Sequence, residues 1–176
     1  YKSAGREPLN CLFALRGACR LYLIKDVDSV HTPDDLAGRE SIPSAIPSNA
    51  EIDLMNAGKI EDVYFGNNIL SLRGLELYDL WYEISFSLDE KQRAGNPYLV
   101  FHGVDTVAEY FLNGVKIGAS DNMLVEHAFD IATTAKIGEN RLGREFCFLQ
   151  IFKFFHCFSA SFVFSYLPFY TYITRV

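Results

Sequence analysis

The chain has 176 residues, of which 49% are apolar, and its formal net charge is −6 at pH 7. This length is sufficient for one domain with a core of ordinary size, and the apolar content excludes an intrinsically disordered chain. The lysines and arginines are scattered along the sequence, which argues against nucleic acid as a partner, because phosphate recognition requires clustered basic side chains.

The four cysteines stand near the two ends of the sequence, at positions 11, 19, 147 and 157. A disulfide framework would place them within the fold that it crosslinks, so we expect free thiols or residues at the ends of a fragment. Arg16 and Arg20 interrupt the apolar residues between positions 11 and 24, which is unlike the apolar part of a signal peptide. We therefore expect no signal peptide in this sequence.

Nothing in the residue pattern indicates a metal or a cofactor. The four histidines, at positions 31, 102, 127 and 156, show no ligand spacing, and no glycine-rich phosphate loop occurs. We expect a domain with no metal site and no cofactor.

The amino-terminal part predicts one strand between two irregular stretches. Residues 1–16 are expected to be a disordered or unrelated end, since the first ten are mostly polar and include Gly5 and Pro8. The alternation in residues 19–24 predicts the first strand. Residues 25–50 carry several charges and three prolines, which predicts a long surface connection rather than a packed element.

A short helix is predicted after this connection. Ser48 or Asn49 can accept hydrogen bonds from the free amide groups of its first turn, and Gly58 supplies a carboxyl-terminal stop. The apolar side of the helix would consist of Ile52, Leu54 and Met55. We expect it to cover an open end of a β-sandwich.

Two further strands are predicted beyond a loop at residues 60–77. Residues 81–88 alternate strictly, and we expect the apolar face to point to the core. That face consists of Tyr82, Ile84, Phe86 and Leu88. Residues 89–95 predict a charged connection, and residues 98–102 predict a short apolar strand.

The strongest local signal is a hairpin at Asn113-Gly114. A type I′ turn requires positive φ at both central residues, which glycine adopts freely and asparagine at little cost. Both arms are rich in β-branched and aromatic residues. Short strands separated by turns, with one short helix, predict an all-β fold: an antiparallel β-sandwich of the jelly-roll type.

The tail from 146 to 176 differs in kind, since it holds nine of the fifteen phenylalanines and no acidic residue. We favour the hypothesis that residues 143–176 are translated non-coding sequence, or a gene-model artefact, that replaces the true continuation. A membrane span is one alternative, because the run could cross about 30 Å of hydrocarbon, although Lys153 and Pro168 interrupt it. An unusual but genuine pair of strands is the other.

Several motifs follow one another at the spacing of a known family. They are Ile46-Pro47-Ser48 with Asp53-Leu54, Tyr64-Phe65-Gly66-Asn67-Asn68, Asp79-Leu80-Trp81-Tyr82, Leu112-Asn113-Gly114 and Asp121-Asn122-Met123. Through them the chain resembles the amino-terminal, galactose-binding-like domain of family 2 glycoside hydrolases, and β-mannosidases most closely. The resemblance covers residues 17–142 and implies an incomplete sandwich that is a fragment of a longer hydrolase.

The resemblance implies that the whole protein hydrolyses terminal β-linked mannose on a separate (β/α)8 barrel, which carries both catalytic carboxylates. We therefore expect no catalytic residue in this chain and no activity of the chain alone. The implied partners are a β-mannoside and the absent barrel. In a eukaryote the implied compartment is the lysosome or the outside of the cell.

Asp121, Asn122 and Met123 are the candidate residues for a wall of the sugar pocket. The first two can hydrogen-bond to hydroxyl groups, and methionine offers an adaptable apolar contact. The alternative is that Asp121 and Asn122 only form a turn. Residues 138–141 predict a surface turn, so Glu139 is not expected to be catalytic.

Two other functions stay open at this point. A stand-alone carbohydrate-binding module would need exposed aromatic rings that stack on sugars. Trp81 and Tyr110 are candidates, but their alternating strands favour burial. A sandwich tethered to a membrane is the third hypothesis.

Overall fold

The computed structural model describes residues 13–14, 19–25, 29–44, 49–101, 104, 107–146 and 171–175. The strands in these residues are β1 (Phe13–Ala14), β2 (Cys19–Ile24), β3 (Ile42–Ser44), β4 (Asp79–Leu88), β5 (Pro97–Phe101), β6 (Ala108–Leu112), β7 (Val115–Ser120), β8 (His127–Asp130), β9 (Gly138–Phe146) and β10 (Thr171–Arg175). They form a six-stranded sheet in the order β3-β2-β4-β9-β6-β7 and a four-stranded sheet in the order β1-β10-β5-β8. Neighbouring strands are antiparallel throughout.

The main core lies between the two sheets. Tyr110 of the larger sheet meets Phe101 of the smaller sheet with ring centroids 4.2 Å apart, and it meets Phe129 at 4.9 Å. Tyr110 and Phe101 are buried, and burying a side chain of this size stabilises a fold by roughly 1.5–3 kcal/mol. The predicted antiparallel β-sandwich is confirmed.

Strand β4 places its predicted apolar face in this core. Tyr82, Ile84 and Leu88 are buried there, and Phe86 packs against the same cluster. Trp81 is also fully buried, but on the opposite face of the strand. The larger sheet is therefore covered on both faces.

Part of the segment at residues 25–50 packs over Trp81. The prediction that these residues form only a surface connection is therefore wrong. A 3-10 helix at Pro33–Leu36 buries Pro33 and Leu36, and Val30 lies beside them in a second apolar cluster. The ring of Phe111 lies 5.6 Å from that of Trp81 in the same cluster. The outer face of the sheet carries three large aromatic residues, Tyr22, Trp81 and Phe111, so leaving it in water would cost the transfer free energy of all three.

A glycine lets this cover approach the sheet. A Cβ atom built on Gly143 of β9 would lie 2.4 Å from Cγ of Pro33, which is far closer than real side chains approach. The guanidinium of Arg141, also on β9, donates to the carbonyl oxygen of Pro33. The connection is thus packed and hydrogen-bonded to a central strand.

Helix α1 (Ala50–Asn56) begins and ends where the sequence predicts. The side chain of Asn49 accepts from the amide of Ile52 at 2.9 Å, and Gly58 has a φ of 65° after the last turn. Leu54 is buried against the main core. Asp53 is buried as well, and its carboxylate accepts from the hydroxyl of Ser44 at 2.6 Å.

Two predicted irregular stretches contain short helices. The segment at 60–77 includes a 3-10 helix, Asn68–Leu77, and the charged connection forms helix α2 (Glu90–Ala94). Asp89 and Gln92 cap α2 reciprocally, since each side chain accepts from the backbone amide of the other. The expectation of a single short helix is therefore corrected.

The hairpin of β6 and β7 is confirmed. Asn113 has a φ of 52° and Gly114 a φ of 82°, as a type I′ turn requires. Behind it, β9 continues past Leu142, the predicted end of the domain, and pairs with β4 as far as Phe146. The predicted surface turn at 138–141 is wrong, because this stretch opens β9 and Asn140 is buried.

The carboxyl-terminal strand β10 pairs with β5 along its whole length and with β1 on its other side. Such pairing is what the strand alternative for the tail predicts. Residues 147–170, which hold most of the phenylalanine-rich run, lie outside the described residues, as do most of residues 1–18. Within the described ranges, no helix is long and apolar enough to cross a membrane.

Candidate functional site

The loop between β7 and β8 carries the three residues predicted to wall a sugar pocket. Asp121 and Asn122 are exposed, and Met123 is half-buried. The side-chain oxygen of Asn122 accepts from the amide of Leu124 at 2.9 Å, and its carbonyl accepts from the ring of His127 at 2.9 Å. The structure therefore brings the three residues together in one hydrogen-bonded turn.

This loop is anchored at one defined end of the larger sheet. Ser120, the residue that precedes the loop, is buried, and its hydroxyl forms a hydrogen bond with the hydroxyl of Tyr110 at 2.9 Å. Ser120 pairs with Ala108, which also pairs with Phe146. The loop thus lies at the end of the sheet where β6 begins and β9 ends.

The side chains of this loop leave polar groups open to solvent. Asp121 has no hydrogen-bond or ion-pair partner among the residues that the structure describes. Leu124 is 82% exposed, and Val125 is exposed beside it. The turn thus presents a carboxylate and two apolar side chains on the surface.

Three carboxylates form an acidic strip on adjacent strands of the larger sheet, and sequence reasoning missed it. They are Asp79 on β4, Glu145 on β9 and Glu109 on β6, with Glu109 directly opposite Glu145. Burial, followed by the charges of Asp79 and Glu109, raises the pKa of Glu145 to about 7, and Lys116 opposes the shift. Lys116 pairs with Glu109 at 2.6 Å. A period-two pattern on β9 could have indicated this strip, had that strand been predicted beyond Leu142.

The interior holds two groups whose burial limits their chemistry. Arg144 is buried with its guanidinium 5.2 Å from the centre of the Tyr82 ring, and this burial lowers its pKa. Cys19 is a free, buried thiol, as predicted, and burial raises its pKa. Since the thiolate is the reactive form, Cys19 is a poor nucleophile.

The exposed aromatic residues are not the ones that the sequence suggested. Trp81 and Tyr110 are both fully buried, which removes them as platforms for sugar stacking. Tyr64 and Phe65 are exposed instead, by 60% and 76%. Beside that loop lies a shallow cavity of about 350 Å³, lined by Gly58, Lys59, Ile60, Glu61, Asn68 and Ser71. No group of three potential metal ligands occurs within the described ranges.

A comparison with protein families matches residues 29–147 to the glycosyl hydrolase 2 galactose-binding domain-like family. The chain belongs to this family. The match contains every strand from β3 to β9, and therefore both the acidic strip and the loop with Asp121.

Relatives and solved structures agree with this family. A mouse protein named β-mannosidase is 37% identical over 103 residues, which is 56% of this chain and 11% of the mouse protein. The crystal structure of a β-D-mannosidase from Dictyoglomus thermophilum superposes with a TM-score of 0.64 at 27% identity, over 76% of this chain and 15% of that one. A β-glucuronidase from Ruminococcus gnavus shares the fold, with a TM-score of 0.58 at 17% identity over 82% of this chain and 23% of that one. The chain spans about a tenth of the length of the mouse relative.

Proposed function

We propose that this chain is the non-catalytic amino-terminal domain of a hydrolase that acts, as a whole protein, on terminal β-linked mannose. The observation that carries the proposal is the family match over residues 29–147, together with relatives named β-mannosidase of which the chain spans a small part. In this proposal the catalytic carboxylates belong to a barrel domain elsewhere in the longer protein.

The arrangement of acidic residues supports a non-catalytic role. A retaining glycosidase needs two carboxyl groups about 5 Å apart beside a bound sugar. The cavity near Tyr64 includes one carboxylate, Glu61, among its lining residues. The acidic strip brings carboxylates together on a sheet face, but Lys116 already pairs with Glu109 there.

The loop with Asp121, Asn122 and Met123 supplies part of the wall of the sugar pocket in this proposal. The exposed carboxylate of Asp121 can accept a hydrogen bond from a sugar hydroxyl, and the half-buried Met123 offers apolar contact. The turn that Asn122 forms with Leu124 fixes the backbone that presents them.

A turnover assay tests the non-catalytic role. The purified 176-residue chain is mixed with 4-nitrophenyl β-D-mannoside, with intact mouse β-mannosidase as the active control. We expect no release of nitrophenol above buffer. Turnover that Glu145→Gln abolishes and Glu139→Gln preserves would overturn the proposal and assign the chemistry to the acidic strip.

A stand-alone carbohydrate-binding module is the second candidate, favoured by the exposed rings of Tyr64 and Phe65. Titration of the chain with methyl β-D-mannoside, monitored by tyrosine fluorescence, distinguishes this module from the non-catalytic domain of a longer hydrolase. Saturable binding that Tyr64→Ser removes would favour the module.

A further inference from the structure

The turn between β6 and β7 contains the only asparagine in the 176-residue sequence that is followed directly by glycine, Asn113-Gly114. Such a pair is intrinsically reactive, because the backbone nitrogen of the second residue can attack the side-chain carbonyl carbon of the asparagine. Glycine has no side chain to obstruct this approach and no restriction on the backbone angles that it requires. Asparagine is also one of the thermolabile residue types. By sequence alone, Asn113 is therefore the asparagine of this chain that is most susceptible to deamidation.

Deamidation at this pair consists of two balanced steps. In the first, the backbone nitrogen of Gly114 loses its proton and bonds to Cγ of Asn113, while the bond from Cγ to Nδ2 breaks and ammonia leaves. In the second, water opens the resulting five-membered succinimide ring and produces aspartate or an isoaspartate linkage. Water is the co-reactant, so the reaction requires only the chain and its solvent.

The folded structure holds the side-chain amide of Asn113 through both of its polar atoms. Nδ2 donates to the carbonyl oxygen of Thr134 and to Oδ1 of Asn140, both at 3.0 Å. Oδ1 accepts from the backbone amide of Arg141 at 3.0 Å, and the backbone amide of Asn113 donates to the carbonyl oxygen of Arg141 at 2.8 Å. Closure of the succinimide ring requires the side chain and the backbone of Asn113 to rotate together, which these four hydrogen bonds oppose.

The orientation of Asn140, the side-chain partner, is fixed by backbone groups. Its side chain is buried, and its Oδ1 accepts from the amide of Lys136 at 2.8 Å. Its Nδ2 donates to the carbonyl oxygens of Lys136 and Gly138, at 2.8 and 3.0 Å. Rotating this side-chain amide by half a turn would place a donor against a donor and an acceptor against two acceptors. Oδ1 of Asn140 therefore stays directed at Asn113.

The products of deamidation do not fit this arrangement. Aspartate at position 113 replaces the donor Nδ2 by an oxygen, which would face the carbonyl oxygen of Thr134 and Oδ1 of Asn140. Both of those acceptors would lose their donor and meet a negative charge instead. An isoaspartate linkage adds one carbon to the main chain of a two-residue turn that joins the paired residues Leu112 and Val115. Neither product allows the turn to close as before.

We infer that Asn113 is a guarded modification site: the closed turn preserves its side-chain amide, and deamidation follows opening of the turn and prevents its closure. Each opening of the hairpin carries the chance of an irreversible change. The chemical state of residue 113 therefore records past openings of the domain. This inference goes beyond the proposed function and does not depend on it.

Peptide mapping by mass spectrometry, which separates Asn113 from its aspartate and isoaspartate products, tests the guard. The 176-residue chain and a synthetic peptide of residues 109–117 are incubated together in mildly alkaline buffer, since an isolated hairpin of this length is at best marginally stable. We expect deamidation in the folded chain to be slower by roughly tenfold or more, because the reactive form is the rarely populated open one.

Two perturbations of the chain test the coupling to opening. Urea at concentrations below the unfolding transition should raise the rate at Asn113, because it increases the population of open forms. Asn140→Ala removes an acceptor of the Asn113 side chain and should raise the rate towards that of the peptide. The control Glu139→Ala changes the exposed neighbour and should keep the wild-type rate. If Asn140→Ala does not fold, the urea series on the wild-type chain decides.

Melting of Asn113→Asp tests the effect of the product. We expect its melting temperature to fall by roughly 2–4 °C for each of the two hydrogen bonds lost. The matched control is Asn122→Asp, because the oxygen of Asn122 accepts from the amide of Leu124 and a carboxylate keeps that role. It should melt with the wild type.

Each part of the inference has an outcome that overturns it. A peptide that does not deamidate overturns the reactivity of the pair, and equal rates in the peptide and the folded chain overturn the guard. A slow rate that does not respond to urea overturns the coupling to opening. Equal melting temperatures of Asn113→Asp and the wild type overturn the loss of closure.

Discussion

The side-chain amide of Asn113 donates to the side-chain oxygen of Asn140 at 3.0 Å, across 27 residues of sequence. The side-chain oxygen of Asn113 accepts a hydrogen bond in turn from the backbone amide of Arg141 at 3.0 Å. Asn140 is buried and also bonds both backbone groups of Lys136 and the carbonyl of Gly138. Two asparagines thus tie the hairpin turn to the first residues of β9.

Replacing Asn140 should therefore destabilise the fold strongly. Asn140→Ala removes a buried side chain and leaves part-buried backbone groups of Lys136 and Gly138 without the hydrogen bonds that it supplies, so we expect a loss of roughly 2–4 kcal/mol in the free energy of unfolding. Urea unfolding of the 176-residue chain measures the change. Glu139→Ala alters the exposed neighbour and should stay within about 0.5 kcal/mol, so equal losses would contradict the account.

The hairpin turn makes its own prediction. Gly114→Val forces a β-branched residue into a backbone with a φ of 82° and should cost about 1–3 kcal/mol. Lys116→Ala, on the same hairpin, removes a half-exposed ion pair with Glu109 and should cost less than about 1 kcal/mol. Thermal melting of the two variants measures these costs. Identical melting temperatures would mean that the turn does not require a positive φ at Gly114.

The hairpin could be predicted because its turn depends on two adjacent residues, Asn113 and Gly114, whose backbone preferences are local. The packing of residues 30–36 over Trp81 could not be predicted, because the burial of Val30 and Leu36 depends on a sheet face that forms from strands distant in the sequence. Asn140 was predicted to lie on the surface for the same reason. Its four hydrogen bonds come from turns that a residue pattern does not reveal.

The close contact of Gly143 with Pro33 tests the cover itself. Gly143→Ala would place a Cβ atom 2.4 Å from Cγ of Pro33, so the ring must move and we expect a cost of about 1–3 kcal/mol. Pro33→Ala removes the obstructing ring carbon. In a double-mutant cycle, Pro33→Ala/Gly143→Ala should cost less than the sum of the two single changes. Additive losses would show that the 3-10 helix does not rest on β9.

The acidic strip predicts a dependence of stability on pH. In the unfolded chain Glu145 ionises near its ordinary pKa of 4.5, whereas in the folded chain the pKa is about 7. The folded state therefore binds more protons across this window, and Glu145 lowers stability as pH rises from about 4.5 to 7. Above that range the loss is complete.

Glu145→Gln removes this titration while keeping the shape of the side chain. The melting temperature of the variant should exceed that of the wild type at pH 8, and the difference should shrink towards pH 5. Glu139→Gln, at an exposed position of the same strand, should show no such trend. A difference for Glu145→Gln that is constant across the range would contradict the raised pKa.

For the candidate site, the sequence predicted the loop but not its surroundings. Asp121 and Asn122 are turn residues with a local signature, so their position followed from the sequence. The exposure of Tyr64 and Phe65 could not be predicted from the sequence, because an aromatic pair in a sequence is compatible with burial or with exposure. Only the packing of Leu75 and Tyr78 on the core settles which side of the segment faces water.

Sequencing of transcripts that contain the codons for residues 29–142 tests the central claim most directly, namely that this domain belongs to a longer β-mannosidase-like hydrolase. The account predicts an in-frame continuation that encodes a (β/α)8 barrel with two carboxylates positioned for retaining hydrolysis. Transcripts that all stop after the codon for Val176 would contradict it.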